Sequence, residues 1–379
     1  MRFSFLIYNY FPYGGQQRDF LRISREVIAR GHEVDVYTMS WIGDIPEGMN
    51  VVMVPRKGFS RLGWYRNFTK WIQANLAKRP KPVIIGFNKM PGLDIYFAAD
   101  PCFLMKATTQ RGGYYKYTSR YRHFRDYELS VFDSSSKTQV LTLTPQQGDD
   151  FKKHYPDCES RIHLLPAGIA EDRKVLSRNR QRGQYIRDAL NLNDSRQLIL
   201  QVGSGFKVKG VDRSLKAIAS LKPEQRSNCH YLLIGEDRAT KFVRLSKQLG
   251  ISDRVTIWPG RDDVPEILQA ADLLLHPAYS ESAGYVLLEA TIAGLPVLTT
   301  ESCGYAFHIE RAASGEVCQS PFSQQDLNFK LDSMLRKLDQ SDWTNNGLHY
   351  GQAEDLYSMA RVATDKIESF AGVAGGKKA

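Results

Sequence analysis

The chain has no run of about 18 uncharged apolar residues, so a membrane-spanning helix is not expected. It has no Asp-x-Asp triplet and no H-E-x-x-H. The usual carboxylate set for holding Mg²⁺ on a diphosphate is therefore missing, and no essential metal is expected. There is no G-x-x-x-x-G-K-[ST] loop. Cysteine is sparse. The five residues Cys102, Cys158, Cys229, Cys303 and Cys318 are scattered, odd in number and never paired as C-x-x-C. That pattern argues for a reducing cytoplasm and against a disulfide framework or a zinc site. The N-terminus lacks a basic leader and a small-residue cleavage site. Its apolar run, Phe3 to Tyr8, flows directly into Phe11-Pro12-Tyr13-Gly14-Gly15 and reads as a buried strand, not a signal peptide.

What is present is an ordinary globular composition, 42% hydrophobic and 24% charged, over 379 residues. That length suits two domains. The net charge is +10 and the pI about 9.2, which favours polyanionic partners: nucleic acid, phosphorylated glycans or anionic lipid.

Strand and helix signals alternate along both halves. In the first half, strands are expected at Phe3–Tyr8, Val34–Thr38, Val51–Val54 and Val83–Phe87, and helices at Gln16–Arg30 and Arg66–Lys78. In the second, Leu198–Val202, Tyr231–Ile234, Val255–Trp258, Leu273–His276 and Val297–Thr299 read as strands. Val211–Leu221, Thr240–Leu249, Val264–Ala271 and Tyr285–Ala293 read as the helices between them. Pro166 and Gly168 interrupt the pattern, so the joint is placed there: residues 1–166 form one doubly wound α/β domain and 167–354 a second. Asp355 to Phe370 reads as a last helix, and residues 372–379 as a disordered Gly- and Lys-rich tail. Two such sheets in tandem imply a cleft, lined by loops that follow strands.

Three loops carry candidate chemistry. Gly14-Gly15 precedes a helix with Asp19 in its expected first turn. It allows backbone N–H groups to approach an anion, though taken alone a plain tight turn with a dipole-favoured Asp is the better reading. Gly203-Ser204-Gly205-Phe206-Lys207-Val208-Lys209-Gly210 has Val208 where a dinucleotide fingerprint needs glycine. Its lysines and flexible backbone suit a diphosphate, or a solvated turn. The strongest signal is Glu281-Ser282-Ala283-Gly284-Tyr285-Val286-Leu287-Leu288-Glu289. Small residues leave the N–H groups of a helix start accessible to a leaving diphosphate. One carboxylate can accept hydrogen bonds from sugar hydroxyls and the other from a ribose. Glu289 lies among apolar residues, which makes a purely solvated role less natural.

Glu281-x₇-Glu289, Gly294-Leu295-Pro296-Val297, Lys209-Gly210 and Gly14-Gly15 together resemble the retaining GT-B glycosyltransferases of family four. Further segments resemble the lipopolysaccharide core glucosyltransferase I family over nearly the whole chain. They include Gly86-Phe87-Asn88-Lys89-Met90-Pro91-Gly92, Thr118-Ser119-Arg120-Tyr121-Arg122-His123 and Ala271-Asp272-Leu273-Leu274-Leu275-His276-Pro277. The resemblance implies a GT-B fold, two Rossmann-like domains facing across a cleft, with residues 355–371 returning to the first. It implies retaining transfer of glucose from UDP-glucose to an inner-core heptose of lipopolysaccharide. Glu281 and the backbone of Ala283, Gly284, Tyr285 and Val286 would hold the donor sugar. Glu289 would hold the ribose, Arg173 and Lys209 the diphosphate with Lys207 in support, and main chain near Arg261 the uracil. Gly14, Gly15 and Asp19 would approach from the first domain. Asp100 stands where many family-four members have a histidine; it could act as a base, orient the acceptor or shape the pocket.

Phe103 to Phe132 interleaves aromatic residues with Lys106, Arg111, Lys116, Arg120, Arg122 and Arg125. It is too polar to span a bilayer and suits an anionic surface. A solvated helix, a groove for a phosphorylated acceptor or a nucleic-acid face would share this composition. The resemblance favours membrane and acceptor contact through Lys106, Arg111, Tyr115, Lys116, Tyr117, Arg120 and Arg122. It implies a peripheral enzyme at the cytoplasmic face of the inner membrane of a Gram-negative bacterium. The rival readings are a UDP-sugar epimerase of the same fold and a non-catalytic, membrane-docked sugar-nucleotide binder.

Overall fold

The structure, a computed structural model, describes residues 1–12, 14–76, 83–109 and 111–373. The chain divides into two compact units, Met1–Gly168 with Tyr357–Ala379, and Ile169–Leu356. These joints fall two residues beyond the expected 166 and 354 (168 − 166; 356 − 354). Inside the second unit, the Ile169 N–H donates to Leu356 O at 2.8 Å and ties its two ends together.

The first unit holds a seven-stranded sheet. Its strands are β1 (Arg2–Leu6), β2 (Glu33–Thr38), β3 (Met49–Met53), β4 (Val83–Gly86), β5 (Ile95–Ala98), β6 (Gln139–Thr142) and β7 (Ile162–Leu164). They lie in the order β3-β2-β1-β4-β5-β6-β7, every pair parallel, with Phe5 opposite Val36 on one side and Ile85 on the other. Helices cover both faces, which is why the central strands read as continuous apolar runs. The helices are α1 (Gly15–Ala29), α2 (Arg61–Leu76), α3 (Phe103–Thr109), α4 (Ser119–Phe132) and α5 (Pro145–His154). On α1, Phe20, Ile23 and Val27 form the buried stripe. α2 begins at Arg61, earlier than the expected Arg66; its expected end at Lys78 lies outside the described residues. The buried Arg161 guanidinium donates to the carbonyls of Val131, Thr138, Phe132 and Asp133 at 2.8–3.0 Å. It thereby satisfies carbonyls at the C-terminal end of α4 that have no helical partner.

The second unit holds a six-stranded parallel sheet. Its strands are β8 (Gln197–Val202), β9 (Cys229–Ile234), β10 (Val255–Trp258), β11 (Leu273–His276), β12 (Val297–Thr300) and β13 (Gly315–Cys318). Their order is β10-β9-β8-β11-β12-β13, the doubly wound arrangement with its switch point between β8 and β11. Its helices are α6 (Gln184–Ala189), α7 (Val211–Ser220), α8 (Pro223–Ser227), α9 (Thr240–Gln248), α10 (Val264–Ala270), α11 (Tyr285–Ile292), α12 (Ala306–Ala312), α13 (Gln324–Lys337) and α14 (Trp343–Ala353). The expected α/β class with two doubly wound sheets is met.

The last helix, α15 (Met359–Phe370), begins later than the expected Asp355 and packs in the first unit along α1. Arg30 bridges Asp365 at 2.7 Å and Glu368 at 2.8 Å, while Met359, Ala363 and Ile367 are buried. Of the expected tail, residues 374–379 lie outside the described residues.

Candidate active site

In the second unit the loops after β8 and β11 flank the switch point. Gly210 fixes how closely they approach. Its φ is +74°, and a Cβ there would lie 2.0 Å from Pro277 O. Only glycine permits both the left-handed backbone and this contact. The contact carries Lys209 to the end of β11, where its ammonium pairs with the Glu281 carboxylate. His276, the last residue of β11 and fully buried, bonds the other Glu281 oxygen through Nε2 at 2.6 Å.

Glu281 is held on the main chain as well. Its N–H donates to Ser302 O at 3.0 Å, and its carbonyl accepts from Gly304 N at 3.1 Å. Ala283 O accepts from Tyr305 N at 2.7 Å. Gly284 follows with φ +96°, turning the chain into α11, so Tyr285 and Val286 stand in the first helical turn. Burial raises the Glu281 pKa. The charge and hydrogen bond of His276, then those of Lys209, outweigh it and bring the carboxyl down to about 2. Glu281 is therefore a fixed carboxylate near neutral pH, fit to accept hydrogen bonds and unfit to donate a proton. The Cys303 thiol, pushed up to about 11 by burial, lies with His276 and Glu281 in a group whose ligand atoms are within 4.8 Å of one another. These three could hold a metal ion by donor type, although Lys209 already occupies one carboxylate oxygen.

Lys207 turns elsewhere. It pairs with Asp212 at 3.1 Å and bonds the Tyr279 hydroxyl at 3.1 Å. Arg261 is clamped by Asp263 at 2.6 Å and lies over the Trp258 ring at 4.9 Å, which fixes the chain after β10. Arg173 and Glu289 line a single pocket with Leu268, Gln269 and Ala293. Lys209 and Glu281 thus form one cluster, and Arg173 and Glu289 another, within the same unit.

In the first unit the carboxyl end of the sheet carries Gly14 and Gly15, then Asn88 and Lys89, then Asp100. Asp19 departs from expectation. α1 starts at Gly15, so Asp19 falls in the second turn and is buried. Asp100 follows β5 and keeps access to solvent. The protein atoms crowded around it raise its pKa against the pull of Lys89 and Lys106. Fully buried Glu128 accepts from the N–H groups of Phe103 at 2.6 Å and Leu104 at 3.0 Å, and from Tyr155 Oη at 2.9 Å. It also pairs with Lys89, which bonds Pro101 O at 2.7 Å. The turn holding Asp100 is pinned from both sides.

The basic-aromatic stretch is α3, a 3-10 turn over Gly113–Tyr117, and α4. Arg111, Lys116, Tyr117, Arg120 and Arg122 are exposed. Tyr115 is half-buried, with Arg111 5.4 Å above its ring. Lys106 is half-buried, its pKa lowered by burial against the pull of Asp100, so it belongs with Asp100 more than with the outer surface. Among the described residues no helix is long and apolar enough to cross a membrane. Reading the sequence missed His276, Asp212, Tyr279, Lys89 and Glu128. His276 left a signal, a polar residue closing a buried apolar strand just before Pro277, and Lys89 stands in one of the segments that carry the family resemblance.

Comparison with known proteins fits this architecture. Residues 13–173 match the model described as Glycosyltransferase Family 4, and 184–349 that described as Glycosyl transferases group 1. The lipopolysaccharide glucosyltransferase WaaG of Escherichia coli K12 is 46% identical over 369 residues, covering 96% of this chain and 98% of that protein. A crystal structure of WaaG superposes with a TM-score of 0.91 and 45% identity, over 97% of this chain and 99% of that one. Anabaena HepE, solved in complex with UDP-glucose, matches at 0.75 with 15% identity over 99% of this chain and 100% of its own, a likeness of fold alone. With near-complete coverage at this identity, and both halves matching glycosyltransferase models, the chain belongs to the WaaG family of GT-B glycosyltransferases in family four.

Proposed function

We propose that this protein transfers glucose from UDP-glucose to an inner-core heptose of lipopolysaccharide, with retention of anomeric configuration. On this reading it works at the cytoplasmic face of the membrane and needs no metal. The observation that carries the proposal is the Lys209–Glu281–His276 cluster beside the start of α11. Its support is the 46% identity to a lipopolysaccharide glucosyltransferase.

In the free enzyme Lys209 neutralises Glu281. An arriving diphosphate competes for the ammonium, and release of Lys209 leaves Glu281 able to accept hydrogen bonds from the sugar hydroxyls. Departure of UDP concentrates negative charge on a phosphate oxygen. Lys209 and the N–H groups of Tyr285 and Val286 then stabilise the transition state more than the ground state. Arg173 supports the diphosphate, Glu289 the ribose, and the chain fixed by Arg261 the uracil. These cations do the work that Mg²⁺ does in Asp-x-Asp enzymes. His276, which offers no exposed surface, holds Glu281 in place. Asp100, with its raised pKa, orients the acceptor hydroxyl. Retention proceeds on one face of the sugar, without a covalent intermediate. The exposed cations of α4 and the turn before it dock the enzyme on anionic lipid, where the lipid-anchored acceptor lies.

The test is UDP release from UDP-glucose in EDTA, with and without heptose-terminated lipopolysaccharide. Release that needs the acceptor and survives EDTA supports the proposal. Loss in EDTA rejects metal independence. Conversion of UDP-glucose without any acceptor points to an epimerase, and UDP binding with no turnover points to a non-catalytic binder.

A further inference from the structure

The stretch from Pro55 to Arg61, the loop after β3 with the first residue of α2, is exposed throughout. At its tip the Phe59 side chain is fully exposed, the most exposed large apolar side chain among the described residues. The loop is stapled beneath that tip. Trp64 Nε1 donates to Gly58 O at 2.7 Å, Asn67 Nδ2 to Lys57 O at 2.6 Å, and Gly63 N to Ser60 Oγ at 3.1 Å. Arg56 lies 5.7 Å over the Trp64 ring. Gly58, at φ +109°, makes the turn. A loop fastened this way holds a large apolar ring in water; a single exposed ring is ordinary on a protein surface, and what marks this one is its fixed setting among Arg56, Lys57 and Arg61.

The charge around the ring points to the kind of partner. Arg56, Lys57 and Arg61 flank it, and the sequence has no acidic residue between Glu47 and Asp94. Among the described residues, no carboxylate pairs with Arg56, Lys57 or Arg61, although Arg56 donates to Asn9 Oδ1 at 3.0 Å. The helix that follows the loop packs on the inner side of α4. Tyr65, on the first turns of α2, stacks on His123 at 6.1 Å and meets Phe124 at 6.4 Å. Thr69 Oγ1 bonds the Tyr127 hydroxyl at 3.0 Å. A soluble polyanion would satisfy the cations but give the phenyl ring nothing. A bilayer with anionic headgroups satisfies both.

We infer that Pro55–Arg61 is a second membrane-contact element: Phe59 enters the apolar boundary of an anionic bilayer while Arg56, Lys57 and Arg61 settle among the lipid phosphates. This rests on the docking reading given above and adds an insertion point to it.

The test uses the full chain. All five native cysteines are buried, so an environment-sensitive fluorophore on Phe59→Cys labels one site. Vesicles of phosphatidylethanolamine with phosphatidylglycerol should shift its emission to the blue and expose it to an acyl-chain quencher. Vesicles of phosphatidylcholine alone should do neither. Phe59→Ser should weaken co-sedimentation with the anionic vesicles by about tenfold and leave UDP binding unchanged. The loop is rejected, and docking kept, if the label stays in water while the protein sediments with vesicles and reversal of the α4 charges releases it. Both ideas fall if the wild-type chain does not sediment. An equal shift on phosphatidylcholine, or a shift without vesicles that grows with protein concentration, overturns the proposal in favour of an uncharged surface or a second copy of the chain.

Discussion

The carboxyl end of the second unit's sheet and the basic-aromatic face of the first unit are both rich in cations, but they are built on opposite plans. In the second unit Lys207, Lys209 and Arg261 each pair with a carboxylate: Asp212, Glu281 and Asp263. In the first, among the described residues, Lys116, Arg120, Arg122, Arg56, Lys57 and Arg61 have no such partner. A paired cation is already positioned and partly desolvated, so it can exchange one anion for another in a fixed geometry. An exposed, unpaired cation on a long side chain suits a diffuse negative surface and fixes no geometry. Under the proposed function, the paired plan serves bond chemistry and the unpaired plan attachment.

The largest expected effect breaks the first plan. Glu281→Ala should lower kcat for acceptor-dependent UDP release by on the order of 10²- to 10³-fold; a near-normal kcat would remove Glu281 from the mechanism. Charge reversal of Lys116, Arg120 and Arg122 to Glu should weaken sedimentation with anionic vesicles by about 10²-fold. UDP affinity, measured by calorimetry, should not move. If UDP binding is lost too, the two plans are not separable and the face has a structural role. Gly210→Ala introduces a Cβ into Pro277 O at a left-handed φ, and should cost about 2–3 kcal/mol of unfolding free energy. It should also raise the KM for the donor, because Lys209 is displaced from Glu281.

The smallest effect is electrostatic. The Glu281 pKa falls from 4.5 to about 2 on folding. The stability this supplies is fully present above about pH 4.5 and is lost as pH falls toward 2. Glu281→Gln should therefore flatten the acid limb of stability in that window relative to wild type, as read by denaturant unfolding at each pH. An unchanged acid slope would mean that other groups set it.

Much of the fold could be read from the sequence because its signals are local. Apolar runs such as Leu198–Val202 and Leu273–His276 mark buried strands wherever they end up in a sheet. The stretches read least well were those whose burial comes from distant neighbours. β7 is three residues long with His163 at its centre, too short for periodicity to register, and β5, β6 and β13, each as long as β11, went unread as well. α2 starts at Arg61 because Trp64 and Asn67 bond back to the preceding loop. The site was partly legible for the same reason. The spacing of Glu281 and Glu289 and the glycines before α11 lie on one stretch of chain. The burial of Asp19, the inward setting of Lys106 and the diversion of Lys207 to Asp212 do not.

The sequence by itself determined two doubly wound α/β sheets, the loops proposed to carry the chemistry and the cationic character of the chain. Each follows from short-range patterns of apolar, glycine and charged residues. Only the tertiary structure decided which charges meet. Lys209 and Glu281 are 72 positions apart. They pair because β8 and β11 are neighbours in the sheet and Gly210 lets the loop after one touch the end of the other. Strand order and close backbone approach are non-local, so side-chain pairing is set by the fold and not by spacing along the chain.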